Sequence, residues 1–283
     1  MSHREPPTVR YRGAPPPRVR VRRLWRGPVL ALVLLLAAVT GIYVLVRSIP
    51  GTPGCTVTGG SRDVTLSVEQ AGNAATIAGV GAAMGMPDHA VTVALATVLQ
   101  ESGLRNLPGG DRDSAGLFQQ RPSQDWGTYE QVTDPVYASQ AFYRKLRTEP
   151  DWPTLDVADA AQLIQRSFDG SLYAQWEPQA TTMAAALTGQ NGPALTCHDL
   201  PATTAPDDVA TVAARELGTA ELSGPQDGVR GWEIANWLVA HGARFGLERV
   251  TFDGWSWTAE SGEWASSGPE DGRLSLQRAQ AGG

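Results

Sequence analysis

Apolar and polar positions divide this chain into three kinds of segment. From Gly27 to Val46 the residues are GPVLALVLLLAAVTGIYVLV, without a charge. That length fits one helix across a bilayer. Arg22, Arg23 and Arg26 flank one end, which predicts a cytoplasmic N-terminus and everything after Arg47 outside. No Ala-x-Ala site follows the run, and Cys55 is too far from it for a lipoprotein signal. The expectation is an uncleaved membrane helix over residues 27–47.

Helical periodicity follows. Residues 66–84 are Ala-rich and read as a first helix, ended at Met86-Pro87. Asp88 can cap the next, in which Val91, Ala94, Val98 and Glu101 share a stripe with Leu95 and Leu99 beside it. Gly103 stands where a glycine ends a helix, which places the Glu101 carboxyl at the lip of a loop. A helix opening at Asp134-Pro135 carries Ala141, Phe142 and Leu146, and residues 160–167 are amphipathic. Residues 198–210 read as a polar linker. Beyond them VATVAARELG and GWEIANWLVAHGARFG read as helices, and ERVTFDG, WSWTA and GRLSLQ as short strands. Trp232, Trp237, Trp255, Trp257 and Trp264 form either a small core of large side chains or a wall- or partner-binding face.

Charge sharpens this division. The net charge of −6 combines a head of +7 over residues 1–26 with −13 over the remainder. The acidic bulk argues against nucleic acid as a partner. The head, poor in apolar residues, is expected to be disordered and to meet anionic lipid or a cytoplasmic partner. Cys55 and Cys197 bracket the helical region, and outside a membrane such a pair reads as a disulfide. Cys197-His198 lacks a matching ligand cluster, and His241 stands without a paired imidazole, so neither a metal site nor a zinc peptidase is expected. No cofactor is implied.

The candidate chemistry centres on Glu101. A carboxyl at the end of an apolar stripe has its pKa raised by desolvation, which suits a general acid. Two motifs place it in a wider pattern. Gln100-Glu101-Ser102-Gly103-Leu104 and Gly116-Leu117-Phe118-Gln119-Gln120 resemble, in order and spacing, the Glu-Ser and Gly-Leu-Met-Gln motifs of the lysozyme-like, soluble lytic transglycosylase superfamily, with Phe for Met. The resemblance covers roughly residues 66–190 and implies that Glu101 is the catalytic acid. The family's last motif is matched only loosely near Tyr173, the candidate for the hydroxyl that orients the acid, together with Ser102. Gln119 offers a donor and an acceptor to an acetamido group. Trp126 is either a sugar platform or an interior residue. Asp111 and Asp113 are either a solvated turn or the source of a second carboxylate, which an inverting hydrolase needs and a transglycosylase does not.

The resulting expectation is a mainly α protein. A cytoplasmic tail (1–26), a membrane helix (27–47) and a stalk (48–65) precede a lysozyme-like domain (66–197), the linker (198–210) and a small α+β module (211–283). Its expected function is cleavage of the β-1,4 bond between N-acetylmuramic acid and N-acetylglucosamine in peptidoglycan, outside the cell membrane. Twenty-two arginines against the single Lys145 suit an actinobacterium-like, GC-rich genome. The alternative is a non-catalytic peptidoglycan-binding or scaffolding protein of the wall-synthesis or secretion machinery.

Overall fold

The computed structural model describes residues 13, 31–33, 35–41, 51–166, 169–201, 203 and 207–279. Residues 1–50 and 51–283 are separate units. In the first, residues 31–33 and 35–41 are helical. Among the described residues no helix is long and apolar enough to cross a membrane. This overturns the expected fold of one membrane helix followed by a mainly α domain. The rest of the apolar run 27–47, and the basic head apart from Gly13, lie outside the described residues.

The second unit contains two antiparallel sheets among its helices, which is the other correction to a mainly α fold. Strands β1 (Gly54–Val57) and β2 (Val64–Leu66) arise where a stalk was expected, and β3 (Leu195–His198) completes a sheet of order β2-β1-β3. Cys55 and Cys197 face each other in the β1–β3 register and are joined by a disulfide across 142 residues. These strands are three or four residues long, too short for alternation to separate them from loop in the sequence.

Between them lie the helices that carry the candidate site. Helix α1 (Val68–Ala83) starts in a capping box: Ser67 Oγ accepts from Gln70 N at 3.2 Å and Gln70 Oε1 accepts from Ser67 N at 2.8 Å. Helix α2 (Asp88–Ser102) is buried continuously from Ala90 to Leu99, so the expected stripe is in fact a whole helix enclosed by its neighbours. Those neighbours are α1, α4 (Pro135–Arg147), α5 (Val157–Gln165), α6 (Ser171–Ala174) and α7 (Glu177–Leu187); the short α3 (Tyr129–Val132) precedes α4. Phe118 and Phe142 stack at 4.8 Å within this core.

The C-terminal residues share the core of the helical region instead of standing apart from it. After α8 (Val209–Glu216), α9 (Gly228–Ala240) packs against α1, α7 and β3, with the short α10 (Gly242–Phe245) following. The second sheet has the order β4-β8-β5-β6-β7, from β4 (Gly224–Pro225), β5 (Leu247–Phe252), β6 (Trp255–Thr258), β7 (Trp264–Ser266) and β8 (Arg273–Arg278). The tryptophans are largely spent on this packing. Trp237 and Trp257 are fully buried, Trp257 Nε1 donates to Cys197 O at 3.2 Å, and Trp264 Nε1 donates to Leu195 O at 2.8 Å.

A buried carboxylate links the two regions. Glu216 accepts from Thr76 Oγ1 (2.9 Å) on α1, Trp237 Nε1 (3.0 Å) on α9 and Arg244 Nη1 (3.1 Å) on α10. His241 Nε2 lies 3.2 Å away, close enough for an ion pair although not aligned as a hydrogen bond. Burial alone would raise the Glu216 pKa. The contact with His241 and the donors Trp237 and Thr76 outweigh it and bring the value down from 4.5 to about 2.

Between pH 2 and 4.5 the unfolded chain therefore binds more protons at this position than the native one, so stability rises with pH through that window. Glu216→Ala removes the acceptor from the buried Trp237 Nε1 and Thr76 Oγ1 and the partner from the buried His241, and is expected to cost about 3 kcal/mol in urea unfolding at pH 7. Its difference from the wild type should shrink as the pH falls from 4.5 toward 2.

Candidate active site

Glu101 occupies the last turn of α2, whose C-cap Gly103 adopts the left-handed conformation (φ 62°, ψ 37°). The next residue, Leu104, has φ 62° and is fully buried, so the chain leaves the helix through two consecutive left-handed residues and anchors at once in the core. Ser102 Oγ donates to Leu117 O at 2.7 Å, with Val98 O at 3.2 Å. Ser102 therefore bonds the end of α2 to the Gly116–Gln120 turn and does not itself hydrogen-bond the acid.

That turn is closed by Gly116 N donating to Leu107 O (2.8 Å) and Ala115 N donating to Gln120 O (3.1 Å). Gly116 has φ 79°, and a Cβ there would stand 1.9 Å from Val132 O. Only glycine fits so close an approach of two backbones. Gln119, also left-handed at φ 49°, accepts from Ser114 Oγ at 3.1 Å and donates to Gly116 O at 3.1 Å. One amide hydrogen and one carbonyl lone pair remain available for a ligand.

Two side chains hold the Glu101 carboxyl. Tyr173, 1% exposed on α6, donates from its hydroxyl to Glu101 Oε1 at 2.6 Å. Gln165, at the end of α5, bonds the same carboxyl and also donates from Nε2 to Phe118 O at 2.8 Å. Burial raises the Glu101 pKa above 4.5, and the Tyr173 and Gln165 hydrogen bonds offset that only in part. Gln165 escaped the sequence reading. Its position on an amphipathic helix gave no sign that its amide turns toward Glu101.

A pocket of about 460 Å³ opens beside Glu101, lined among others by Asp111, Gln119, Trp126, Gln165 and three arginines, Arg112, Arg121 and Arg166. Trp126 is half-buried, packs against the core and has Lys145 Nζ 5.7 Å from its ring centre, so it is partly interior and partly pocket wall. Asp111 is solvent-exposed. Asp113 does not line the pocket. Its carboxylate accepts from Ser123 N (2.8 Å), Arg121 Nε (2.9 Å) and Ser123 Oγ (3.0 Å), which hold it far below the usual carboxylate range. Among the described residues no group of three or more His, Cys, Asp or Glu could hold a metal ion.

Because burial raises the Glu101 pKa, the native state binds more protons here than the unfolded chain above pH 4.5, and stability falls as pH rises through that interval. Glu101→Gln keeps the oxygen that accepts from Tyr173 and removes the ionisation. The variant is expected to unfold at a higher temperature than the wild type at pH 7, and the two midpoints should converge as the pH is lowered below 4.5. No protein-family model matches the chain, and no curated protein is significantly similar to it.

Proposed function

We propose that the unit from Gly51 onward is a peptidoglycan glycosidase of the lysozyme-like, lytic transglycosylase kind, with Glu101 as its single acid and base. The observation that carries this reading is the Glu101 carboxyl itself. It is partly desolvated, carries a raised pKa, is fixed by Tyr173, and borders a pocket large enough for sugar rings. The resemblance of the two motifs to that superfamily supplies the substrate class.

With Oε1 accepting from Tyr173, the proton belongs on Oε2. Glu101 donates it to the glycosidic oxygen as the bond from muramic C1 breaks, and the glucosamine 4-hydroxyl leaves. The Glu101 carboxylate then takes the proton of the muramoyl 6-hydroxyl as that oxygen bonds C1, closing a 1,6-anhydro ring. The substrate's N-acetyl group shields C1 between the two steps. This single-carboxylate course is favoured over inverting hydrolysis because Asp113 is committed to Arg121 and Ser123, and a carboxylate of such depressed pKa is a weak base. The Cys55–Cys197 disulfide suits an oxidising, extracytoplasmic compartment.

Incubation of residues 51–283 with purified peptidoglycan, followed by mass spectrometry of soluble products, tests the reading. Anhydro-muropeptides are expected from the wild type and none from Glu101→Gln. Reducing muramic ends would instead assign the reaction to water, with Asp111, which lines the pocket, as the second carboxylate. Release of nothing by either protein, with both pelleting with the wall, would replace the enzyme by a binding protein.

Tyr173→Phe separates positioning from folding. Turnover should fall about tenfold or more. Since the Tyr173 hydrogen bond lowers the Glu101 pKa, the limb on which activity is lost with rising pH should move to higher pH. A merely structural tyrosine would lower activity without moving that limb.

A further inference from the structure

The Glu101 pocket is lined by three arginines against two carboxyls, Glu101 and Asp111, in a unit where acids outnumber bases. Residues 51–283 contain fourteen Lys and Arg against twenty-eight Asp and Glu. Three of those fourteen, Arg112, Arg121 and Arg166, line this one pocket. None of them bonds Glu101, whose carboxyl is held by Tyr173 and Gln165, so their charge is not spent on tuning the acid. Arg121 uses Nε on Asp113 and keeps its two terminal nitrogens. Arg112 is largely exposed, with Nε 3.9 Å from Asp111. Arg166 has no ion pair or side-chain hydrogen bond among the described residues.

Their backbones are unusual as well. Arg112 (φ 56°), Gln119 (φ 49°) and Arg166 (φ 51°) are three of the seven described non-glycine residues in the left-handed region, and all three line the pocket. Side chains with a Cβ enter that region at an energetic cost, and such residues collect at ligand-binding sites. For Arg166 the left-handed turn ends α5, its N–H bonding Gln162 O at 2.8 Å, immediately after Gln165 has met Glu101.

We propose that this pocket binds a carboxylate carried by the glycan next to the bond it cleaves, with Arg166 as the principal contact and Arg112 and Arg121 beside it. The proposal rests on the glycosidase reading and adds to it an electrostatic requirement in the substrate. A neutral sugar gives a guanidinium little beyond a hydroxyl hydrogen bond. A carboxylate matches its two parallel N–H donors. In an acidic protein acting on an acidic polymer, local positive charge also offsets the repulsion felt elsewhere on the surface. The carboxylate has two sources, the lactyl group of the muramic ring or an acidic residue of the attached peptide.

Binding is measured on the full chain in a Glu101→Gln background, so that turnover does not enter. Three soluble oligosaccharides of equal length are titrated by calorimetry: a neutral chitooligosaccharide, a muramic glycan stripped of peptide, and the same glycan with its peptides. A carboxylate-bearing glycan is expected to bind roughly tenfold tighter than the neutral one at low salt. The advantage should shrink on going to about 0.3 M salt. Arg166→Gln combined with Arg112→Gln should remove the advantage, while Arg249→Gln, an exposed arginine on β5, should leave it in place. An advantage for the stripped glycan assigns the lactyl carboxylate, and one confined to the peptide-bearing glycan assigns the stem. Equal affinity for all three, or an advantage that survives the double substitution, overturns the proposal. Charge-selective binding by a protein whose wild type cleaves nothing would retire the glycosidase reading alone, and cleavage without charge selectivity would retire this proposal alone.

Discussion

A carboxyl placed at the end of a buried helix is the constraint on which the candidate site depends. Helix α2 is enclosed along its length, and Glu101 lies where it emerges. Partial desolvation keeps that group in reach of a protonated state, and the surrounding structure fixes its direction. Two left-handed residues turn the chain away after it, Ser102 bonds the helix end to the Gly116 turn, and Tyr173 and Gln165 approach from α6 and α5. Each of these contacts comes from a different stretch of chain, so the geometry at Glu101 depends on the packing of the whole helical region.

Desolvation acts on both Glu216 and Glu101 with opposite outcomes, and the comparison shows what the surroundings decide. Glu216 is also desolvated, but it meets His241, Arg244, Trp237 and Thr76, and its pKa is drawn down to about 2. It is a fixed anion that ties α1 to α8, α9 and α10. Glu101 receives donors from two neutral side chains, which leaves burial dominant and its pKa raised. The first arrangement serves cohesion. The second is suited to giving up and taking back a proton.

The sequence disclosed the helices best. Asp134 caps α4 by accepting from Val136 N and Tyr137 N, and Gly103 ends α2, both as local chemistry indicated; Asp88 is instead the first residue of α2, whose N-cap Pro87 makes no side-chain bond. The C-terminal strands around Val250 and Trp257 were legible from their β-branched and aromatic content, and the one around Leu274 from its alternation of apolar and polar residues. What escaped depended on distant partners. Strands β1 and β2 are stabilised by pairing and by a disulfide to a residue 142 positions away, and no local pattern marks them. The C-terminal region read as a separate module because its polar linker is visible in sequence, whereas the Glu216 contacts and the indole bonds to Cys197 and Leu195 are not. The apolar run before Arg47 lies in large part outside the described residues, among which no helix is long and apolar enough to cross a membrane.

At the site, Glu101, Gln119 and Trp126 were found from motif and residue type, and the structure brings them to one pocket with Asp111, while Tyr173 reaches the acid from α6. Gln165 and the arginines were not found, because their roles come from where α5 ends and not from any pattern around them. The most direct measurement of the central claim is the pH titration of the Glu101 side-chain carboxyl by carbon NMR. The account predicts a midpoint above 4.5 in the wild type, moving further up in Tyr173→Phe. A midpoint at or below 4.5, or a downward move in the variant, would contradict it.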